Sequence, residues 1–428
     1  LNLPEHGPYK IDYTRNGQYL ALCGAKGHLS IIRWKDFRLI SEEYFSVDAD
    51  YIHDIKFAMN ESMLCCAQRE GVYVYNTKCV ETHVLKHSMP MPLKLEYLPY
   101  HFLLCSVGHH GKLVYFDVSM GEKIATKNTK LGSCDTMTQN PRNAVIHLGH
   151  NNGTVTLWTP TNEQPVARIL CHKSRVRGLA VSHSGYEMAT SDDRGYLKFW
   201  DLRKFDQMLF DYKHNSMISE LTYSQTGLFA FSTGKMVRIW NLKRGFKPCD
   251  VAGADEISQR HQHLYLQHFL PRRLASSLKF CPYEDVLGIG NTLGFSSIVV
   301  PGSGEPNYDL FEADPFETQK KRNNKIVHQL LDKLQPEMIQ LNPDFIAAPR
   351  SRARRSERQQ ESEREGDKKW ARKNVTRNVK NGYRGVLRKR YSKYQHMKDL
   401  HLRQEKMKSI LNVRKKTKSK ETKGEMAQ

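Results

Sequence analysis

Short runs of alternating apolar and polar residues recur along most of the chain and are separated by tight turns that contain glycine. The repeating unit is clearest between Cys171 and Asp201, where three such runs are joined at Ser184-Gly185 and Gly195 and end in Trp200-Asp201. Alternation with a period of two residues is typical of β-strands whose two faces meet different surroundings. The pattern therefore predicts antiparallel strands connected by short turns.

The turns recur at a regular interval along the chain. Their glycines are Gly27, Gly71, Gly111, Gly153, Gly195, Gly234 and Gly294. Five of the six intervals between these positions lie near the roughly 40–45 residues of one WD-propeller blade. Most of the glycines are followed by an aromatic residue, and these are Trp34, Tyr75, Phe116, Trp158, Trp200 and Trp240. The sequence therefore predicts an all-β fold, a seven-bladed WD-type β-propeller, closed by an N-terminal strand near Tyr9–Tyr13.

The best-preserved repeat also carries polar residues of the kind that form a hydrogen-bonded set within a WD blade. We expect a structural tetrad of His172, Ser191, Asp193 and Trp200, with Asp192 as an alternative to Asp193. A structural role is favoured over a catalytic role for these residues. Most other repeats lack the full set, so we expect apolar packing between blades to provide most of their cohesion.

Changes in the pattern divide the chain into three regions. The propeller is predicted over residues 1–308, with a polar insertion at about 250–270. Residues 309–349 are predicted to form an amphipathic helix and an extended docking segment. Residues 350–428 are predicted to form an extended basic C-terminal tail that contains aromatic residues.

The helix is predicted from Phe316 to Leu334, with Asp314 as its N-cap and Pro315 at its first position. Its apolar stripe is expected to dock on the propeller or on a partner, and consists of Ile326, Leu330, Leu331 and Leu334. Beyond the helix, residues 336–339 and 343–346 are expected to place hydrophobic side chains in a groove.

Charge is distributed very unevenly. The chain carries a formal net charge of +21. Residues 350–428 contain 27 Lys and Arg against 9 Asp and Glu, a net charge of +18, which leaves +3 for residues 1–349. The distribution indicates a polyanion bound by the tail.

Basic and aromatic residues are interleaved within the tail. The candidate RNA-binding residues are Lys368, Lys369, Trp370, Arg372, Lys373, Tyr383, Arg384, Arg388, Lys389, Arg390, Tyr391 and Tyr394. Cationic groups neutralise phosphates and aromatic rings stack on exposed bases, so the pattern favours nucleic-acid contact over simple solvation. A nuclear localisation signal is a second role for the same residues.

Other classes of function are disfavoured by the sequence. The nine cysteines are scattered without a CxxC pair, which indicates small buried hydrophobic residues in a reducing compartment. No apolar run reaches the roughly 18–20 residues that a membrane span needs, so we expect no membrane partner. The glycines of 288–294 have the wrong spacing for a dinucleotide fingerprint and are interpreted as a blade turn. The pairs His147/His150 and His109/His110 are interpreted as rim residues rather than metal ligands. We expect no enzymatic activity, cofactor, metal or small-molecule substrate.

Four longer motifs carry a family resemblance. They are Leu3–Gly17, Gln139–Gly153, Phe280–Gly288 and Val300–Asn307. In these motifs, residues 1–346 resemble the nucleolar WD-repeat family of the small-subunit processome, the family of WD repeat protein forty-six and U-three small nucleolar RNA-associated protein seven. The resemblance implies a nucleolar scaffold in the early pre-ribosome. Its implied partners are pre-rRNA, a small nucleolar ribonucleoprotein and other processome proteins, and it implies no catalytic residue.

Three hypotheses follow. The leading one is an RNA-associated scaffold whose propeller binds proteins and whose tail contacts pre-rRNA or neighbouring proteins. The alternative is a nuclear WD-repeat adaptor, such as a ubiquitin-ligase substrate receptor, with the tail as a localisation signal. A propeller hydrolase would require acidic or histidine side chains that converge on the central channel.

Overall fold

A computed structural model describes residues 1–45, 51–242, 263–310, 312–314, 316–341 and 394–404 of the chain. The chain divides into a compact unit that ends at Ile346 and a second unit that begins at Ala347. In the first unit the strands form seven separate antiparallel sheets, which follow one another in chain order. The seven sheets are the predicted seven blades.

Blades 1 to 4 contain four strands each. Their bounds are β1 Tyr9–Tyr13, β2 Tyr19–Gly24, β3 His28–Arg33, β4 Arg38–Tyr44, β5 Ile52–Ala58, β6 Met63–Gln68, β7 Val72–Tyr75, β8 Glu81–Val84, β9 Pro92–Leu98, β10 Leu103–Gly108, β11 Lys112–Asp117, β12 Glu122–Asn128, β13 Cys134–Gln139, β14 Ile146–His150, β15 Thr154–Trp158 and β16 Ala167–Leu170.

Blades 5 and 6 also contain four strands, and blade 7 contains three. Their bounds are β17 Val176–Val181, β18 Glu187–Asp192, β19 Tyr196–Asp201, β20 Lys204–Lys213, β21 Glu220–Tyr223, β22 Leu228–Thr233, β23 Met236–Asn241, β24 Leu264–Phe269, β25 Ala275–Phe280, β26 Val286–Asn291 and β27 Gly294–Val299. The first strand of each blade contacts the first strand of the next, and β25 contacts β1, so the blades form a closed ring.

Apolar clusters fill the junctions between neighbouring blades. Between blades 5 and 6, Phe199 lies against Phe229 with ring centroids 5.1 Å apart, and in the same cluster Phe231 of blade 6 lies 5.0 Å from Trp240 of that blade. Burying one such side chain stabilises the fold by about 1.5–3 kcal/mol. The predicted blade aromatics are buried at Tyr75, Phe116, Trp158, Trp200 and Trp240, and Trp34 is partly buried. Each blade therefore uses both faces of its sheet for packing.

Blade 7 meets blade 1 through two glycines on β26. A Cβ atom at Gly290 would lie 2.4 Å from the carbonyl oxygen of Tyr9, and one at Gly288 would lie 2.6 Å from the Tyr13 hydroxyl. Residues without a side chain are therefore needed for β1 to approach β26 this closely. The glycine-rich segment predicted as a turn forms β26 and the β26–β27 hairpin.

The N-terminal residues close the ring beside β27. The backbone N–H of Leu3 donates to the Leu293 carbonyl at 2.7 Å, and that of Phe295 donates to the Leu1 carbonyl at 3.2 Å. The prediction of a closing strand at Tyr9–Tyr13 is wrong, because this segment pairs with β2 as the innermost strand of blade 1.

Two further boundaries differ from the prediction. Within the predicted insertion at about 250–270, residues 264–269 are β24, which pairs with β23 as the outer strand of blade 6. Residues 243–262 lie outside the described residues. The helix, here α1, covers Gln319–Leu331 rather than Phe316 to Leu334. The side chain of Thr318 caps it by accepting from the Lys321 N–H, while Asp314 accepts from the Phe316 N–H in the preceding turn.

The segment after α1 places one apolar side chain in the blade core. A short 3-10 turn covers Pro336–Met338, and the Ile339 side chain that follows it is 2% exposed in the cluster between blades 3, 4 and 5. Residues 343–346 lie outside the described residues. In the second unit, residues 394–404 form a helix, α2.

We predict that Gly290→Ala destabilises the ring. The new methyl group would meet the Tyr9 backbone, which cannot rotate away, so we expect a loss of about 1–3 kcal/mol in the free energy of unfolding. Gly108→Ala is the matched control, because Gly108 is also a strand glycine and its Cβ would lie 3.2 Å from the nearest atom. Chemical denaturation of both variants measures the difference, and equal losses would contradict the close approach of blades 1 and 7.

Candidate functional site

A buried polar network in blade 5 joins three segments of the blade. His172 Nε2 lies 2.8 Å from Thr190 Oγ1, and Trp200 Nε1 donates to the same oxygen at 3.1 Å. Ser174 Oγ donates to Asp192 Oδ2 at 2.7 Å, and His172 Nδ1 lies 3.8 Å from that oxygen. Burial lowers the pKa of His172 to about 4, so its ring is neutral near pH 7. The network is a structural tetrad of His172, Thr190, Asp192 and Trp200.

Two members of the expected tetrad need correction. Ser191 donates instead to the Ile218 carbonyl of the next blade at 3.4 Å, and Asp193 lies 3.7 Å from Arg177 with 41% of its side chain exposed. Neighbouring residues of a strand point to opposite faces, so Ser191 cannot share a face with Trp200 when Thr190 does. Asp192, the alternative considered from the sequence, occupies the aspartate position.

Blade 4 contains a second buried network that sequence reasoning missed. His150 Nε2 lies 2.7 Å from Thr156 Oγ1, Trp158 Nε1 donates to that oxygen at 2.8 Å, and His150 Nδ1 lies 3.2 Å from Cys134 Sγ. The spacing of threonine two residues before tryptophan was the available signal. His150 occupies the strand position that Asp192 has in blade 5, and its Nδ1 contacts a thiol rather than a carboxylate, so the set differs from that of blade 5.

His147 also lies in the interior of blade 4. It is 0% exposed and neither ring nitrogen has a hydrogen-bond partner. Burial lowers its pKa to about 3, so the ring is neutral. His147 borders a groove of about 370 Å³ that Tyr186 and Leu341 also line. The interpretation of His147 and His150 as rim residues is therefore wrong, whereas His109 and His110 are exposed.

The central channel is lined by lysines and carboxylates. These residues are Lys10, Lys56, Lys94, Lys279, Asp54, Glu96 and Glu220. Lys10 donates to Glu220 at 2.9 Å and Lys56 lies 3.0 Å from Glu96. Burial alone lowers the pKa of Lys56, but Asp12 and Glu96 outweigh it and raise the pKa above its ordinary value. The charges of the channel therefore compensate one another.

Two aspartates of the channel also join neighbouring blades. Asp12 of blade 1 accepts from the Phe57 N–H of blade 2 at 2.9 Å. Asp54 of blade 2 accepts from the Leu95 N–H of blade 3 at 3.1 Å. These carboxylates are engaged by backbone donors, which is the arrangement of a structural group rather than a general acid or base.

Residues 309–341, which we call the C-terminal strap, cross one face of the propeller. Glu312 pairs with Arg15 of blade 1, and Arg322 of α1 lies 2.7 Å from Glu61 of blade 2. Further along, the Leu334 N–H donates to the Tyr100 carbonyl of blade 3 at 3.0 Å. The strap thus contacts blades 1, 2 and 3 in chain order.

The strap continues to blade 4. Lys333 pairs with Asp117 at the edge of blade 3, and the Asn143 side-chain amide of blade 4 donates to the Leu341 carbonyl at 3.0 Å. Ile339 lies between these contacts in the blade core. All these contacts involve loops that join first to second strands or third to fourth strands. Antiparallel strands alternate in direction, so these loops share one side of the ring, which we call the lower face.

The predicted apolar stripe of α1 points mainly away from the propeller. Leu330, Leu331 and Leu334 are 41%, 76% and 38% exposed, and Val327 is 55% exposed. Successive residues of a helix are rotated by about 100°, which places Val327 and Leu331 opposite Arg322 and Lys325. On this side of the helix Arg322 contacts Glu61 of blade 2, and Lys325 donates to the Glu312 carbonyl within the strap at 3.0 Å. Ile326 lies between the two faces and is half-buried.

Most of the candidate RNA-binding residues lie outside the described residues. They are Lys368, Lys369, Trp370, Arg372, Lys373, Tyr383, Arg384, Arg388, Lys389, Arg390 and Tyr391. Tyr394 is the first residue of α2, and 67% of it is exposed. Their role as an RNA-binding set stays a prediction.

The described residues also inform three of the other predictions. Eight cysteines are described and all are buried without a disulfide, as expected of small hydrophobic residues. Within the described ranges, no group of three or more His, Cys, Asp or Glu side chains is placed to hold a metal ion. No described helix is long and apolar enough to cross a membrane.

Two protein families match the chain, and the two matches meet within blade 6. Residues 9–264 match the family described as Nucleolar protein 10-like, N-terminal domain. Residues 264–342 match the BING4CT (NUC141) domain family. The second match begins at β24 and ends beside Leu341, so blade 7 and the strap fall within one family domain.

Curated proteins show similarity over most of the chain. WD repeat-containing protein 46 of Homo sapiens is 39% identical over 350 residues, which are 81% of this chain and 54% of that protein. Its Caenorhabditis elegans counterpart is 40% identical over 81% of this chain and 56% of its own length. U3 small nucleolar RNA-associated protein 7 of Saccharomyces cerevisiae is 37% identical, over 81% of this chain and 62% of its own length. The chain thus spans somewhat more than half of each relative.

Solved structures support the fold. A chain of the crystal structure of mitotic checkpoint complex has a TM-score of 0.58 and 14% identity, covering 70% of this chain and 90% of that chain. At this level of identity the similarity concerns the fold alone.

We predict that Asp192 and Asp193 differ sharply in their effect on stability. Asp192 Oδ1 accepts from the N–H groups of Arg194 and Tyr196 at 3.0 and 2.8 Å, so Asp192→Ala leaves these donors unpaired. We expect a loss of about 3 kcal/mol in the free energy of unfolding. Asp193→Ala, one residue away on the exposed side, should cost less than about 0.5 kcal/mol. Denaturant titrations of both variants check this, and a larger loss at Asp193 would restore the original assignment.

Proposed function

The chain belongs to the Nucleolar protein 10-like propeller family and is similar to WD repeat-containing protein 46 and U3 small nucleolar RNA-associated protein 7, and from this we propose that it is a scaffold component of the small-subunit processome. In this role it supports the processing of small-subunit rRNA in the nucleolus. Its partners are pre-rRNA, a small nucleolar ribonucleoprotein and other processome proteins. The observation that carries the proposal is the family match, which covers the propeller and the strap in succession.

A scaffold role without catalysis agrees with the central channel. Lysines pair with Glu96 and Glu220, and backbone N–H groups of the next blade pair with Asp12 and Asp54. A hydrolase would need a carboxylate or histidine that is free to exchange protons with a substrate. The channel carboxylates instead contribute to cohesion between the blades.

The strap gives the scaffold a second kind of surface. Its cationic side holds α1 on the lower face, while Val327, Leu330 and Leu331 are exposed on the other side of the helix. Apolar side chains presented together on one helix face are typical of a helix that docks in a protein groove. We therefore assign the exposed apolar face of α1 to a partner protein, while its cationic side contacts the propeller.

We assign RNA contact to residues 350–428, whose net charge is +18. Basic segments with aromatic residues bind single-stranded RNA by neutralising phosphates and stacking on bases. The affinity of such contacts falls with salt, because each neutralised phosphate releases counterions.

We predict that truncation after Pro349 separates folding from RNA contact. The compact unit ends at Ile346, so thermal unfolding of the propeller should be unchanged. Crosslinking to pre-rRNA should fall at least about tenfold, since the removed segment carries most of the positive charge. A full-length variant with Trp370, Tyr383, Tyr391 and Tyr394 changed to Ala keeps the charge and isolates the contribution of stacking. Undiminished crosslinking of the truncated chain would refute the assignment to the tail.

We predict that the apolar face of α1 is needed for incorporation into the pre-ribosomal particle. Val327→Glu combined with Leu331→Glu should leave the fold intact, because both side chains are exposed, at 55% and 76%. The variant should move from the large pre-ribosomal peak to light fractions in a sucrose gradient. Leu170→Glu is the control, because Leu170 is 68% exposed on the outer strand of blade 4. If both variants sediment with the particle, α1 is not a docking element.

A further inference from the structure

The side of the ring opposite the strap is formed by a second set of loops. They precede the first strand of each blade or join its second and third strands, and together they form what we call the upper face. Antiparallel strands alternate in direction, so these loops share one side of the ring, away from the strap. The residues of the strap contact the lower face as described above.

Charge differs strongly between the two faces. In the described residues of the upper loops, the cations are Lys26, Arg69, Lys86, Lys130, Lys173, Arg175, Arg194, Lys235, Arg272 and Arg273. The acidic residues of these loops are Glu5, Glu70 and Asp193, so ten cations face three anions and the net charge is +7.

The lower loops are balanced by comparison. Their described cations are Arg15, Lys35, Lys78, Arg142 and Arg203, and their acidic residues are Asp36, Glu61, Glu163, Glu284 and Asp285. Five charges of each sign give a net charge of zero. Although the net charge of residues 1–349 is only +3, one face of the propeller is therefore strongly basic.

Seven of the upper cations are exposed and lie beyond 4 Å from any described carboxylate. They are Lys26, Arg69, Lys130, Lys173, Arg194, Lys235 and Arg272. They occur in blades 1, 2, 5 and 6 and in the connections between blades 3 and 4, 4 and 5, and 6 and 7. Cations placed around a whole face, rather than in one pocket, match a ligand whose negative charge is also extended.

We propose that the upper face of the propeller binds the phosphate backbone of single-stranded RNA, independently of the C-terminal tail. Protein–protein interfaces are depleted in lysine, whereas nucleic-acid interfaces are strongly enriched in positive charge. Rings for stacking are present on the same face, where His109 and His110 are exposed and Tyr51 is 46% exposed. The function proposed above places RNA only on the tail. We choose RNA as the polyanion because of that proposed function.

Charge reversal in the full-length chain tests the proposal. The upper variant carries Lys26→Glu, Arg194→Glu and Lys235→Glu, which lie on blades 1, 5 and 6. The lower variant carries Lys78→Glu, Lys123→Glu and Lys204→Glu, which are exposed on the opposite side and change the net charge equally. Both are made in a full-length background whose tail residues Lys368, Lys369, Arg372, Lys373, Arg384, Arg388, Lys389 and Arg390 are changed to Gln. The probe is a 20-nucleotide oligouridylate, whose Kd is measured over a range of NaCl concentrations.

The upper variant should bind at least about tenfold more weakly than its background and should lose about 2 from the slope of log K against log salt. The lower variant should match the background in both quantities. Equal affinities and slopes for the two variants would overturn the proposal. Oligoglutamate is the second probe. If the upper variant lost binding to oligoglutamate but not to oligouridylate, the proposal would also fail, because an acidic protein would then be the ligand. Truncation of the tail tests the proposed function separately. RNA binding by the tail and RNA binding by the upper face can therefore be refuted independently.

Discussion

The fold depends on the closure of blade 7 against blade 1. Each sheet packs apolar side chains on both faces, so an open arc would expose one such face at each end. Gly288 and Gly290 let β1 approach β26 closely, and the hydrogen bonds of residues 1–3 then extend β27. The polar network of the channel, the contacts of the strap with four blades and the position of the upper loops on one side all require this closed ring.

Cohesion between blades has two sources that differ in position. Apolar clusters hold the middle of each junction, whereas Asp12 and Asp54 join the innermost strands through backbone N–H groups of the next blade. A buried carboxylate is costly unless it is paired, and Lys56, which lies 3.7 Å from Asp12 and 3.0 Å from Glu96, compensates the charge of both. With both sources present, a blade does not need the complete tetrad that blade 5 carries.

The sequence repeats made the number of blades predictable, but the side-chain contacts within each blade depend on local geometry that the repeats do not specify. Turn glycines and following aromatics were sufficient for seven blades, because each repeat must contain the same strands to pack on its neighbours. The repeats could not show whether Thr190 or Ser191 belongs to the tetrad, since a shift of one residue along a strand moves the side chain to the opposite face. β24 was missed because it directly follows the polar insertion and every second residue of this outer strand is exposed. The basic upper face could not be predicted either, because the net charge of residues 1–349 does not show which loops lie on the same side of the ring.

The strap connects these observations, since it follows blade 7 and then contacts blades 1 to 4. Glu312 pairs with Arg15 and accepts from the Tyr100 hydroxyl at 3.1 Å, so one strap residue joins blades 1 and 3 after the chain has left blade 7. Opening the ring between blades 7 and 1 would therefore also require the strap to detach. The family match over residues 264–342 contains blade 7 and the strap together, which agrees with a unit that completes the ring and covers its lower face. Because the strap occupies that face, the apolar side of α1 is exposed there, and our two proposals place a partner protein on α1 and a polyanion on the upper face.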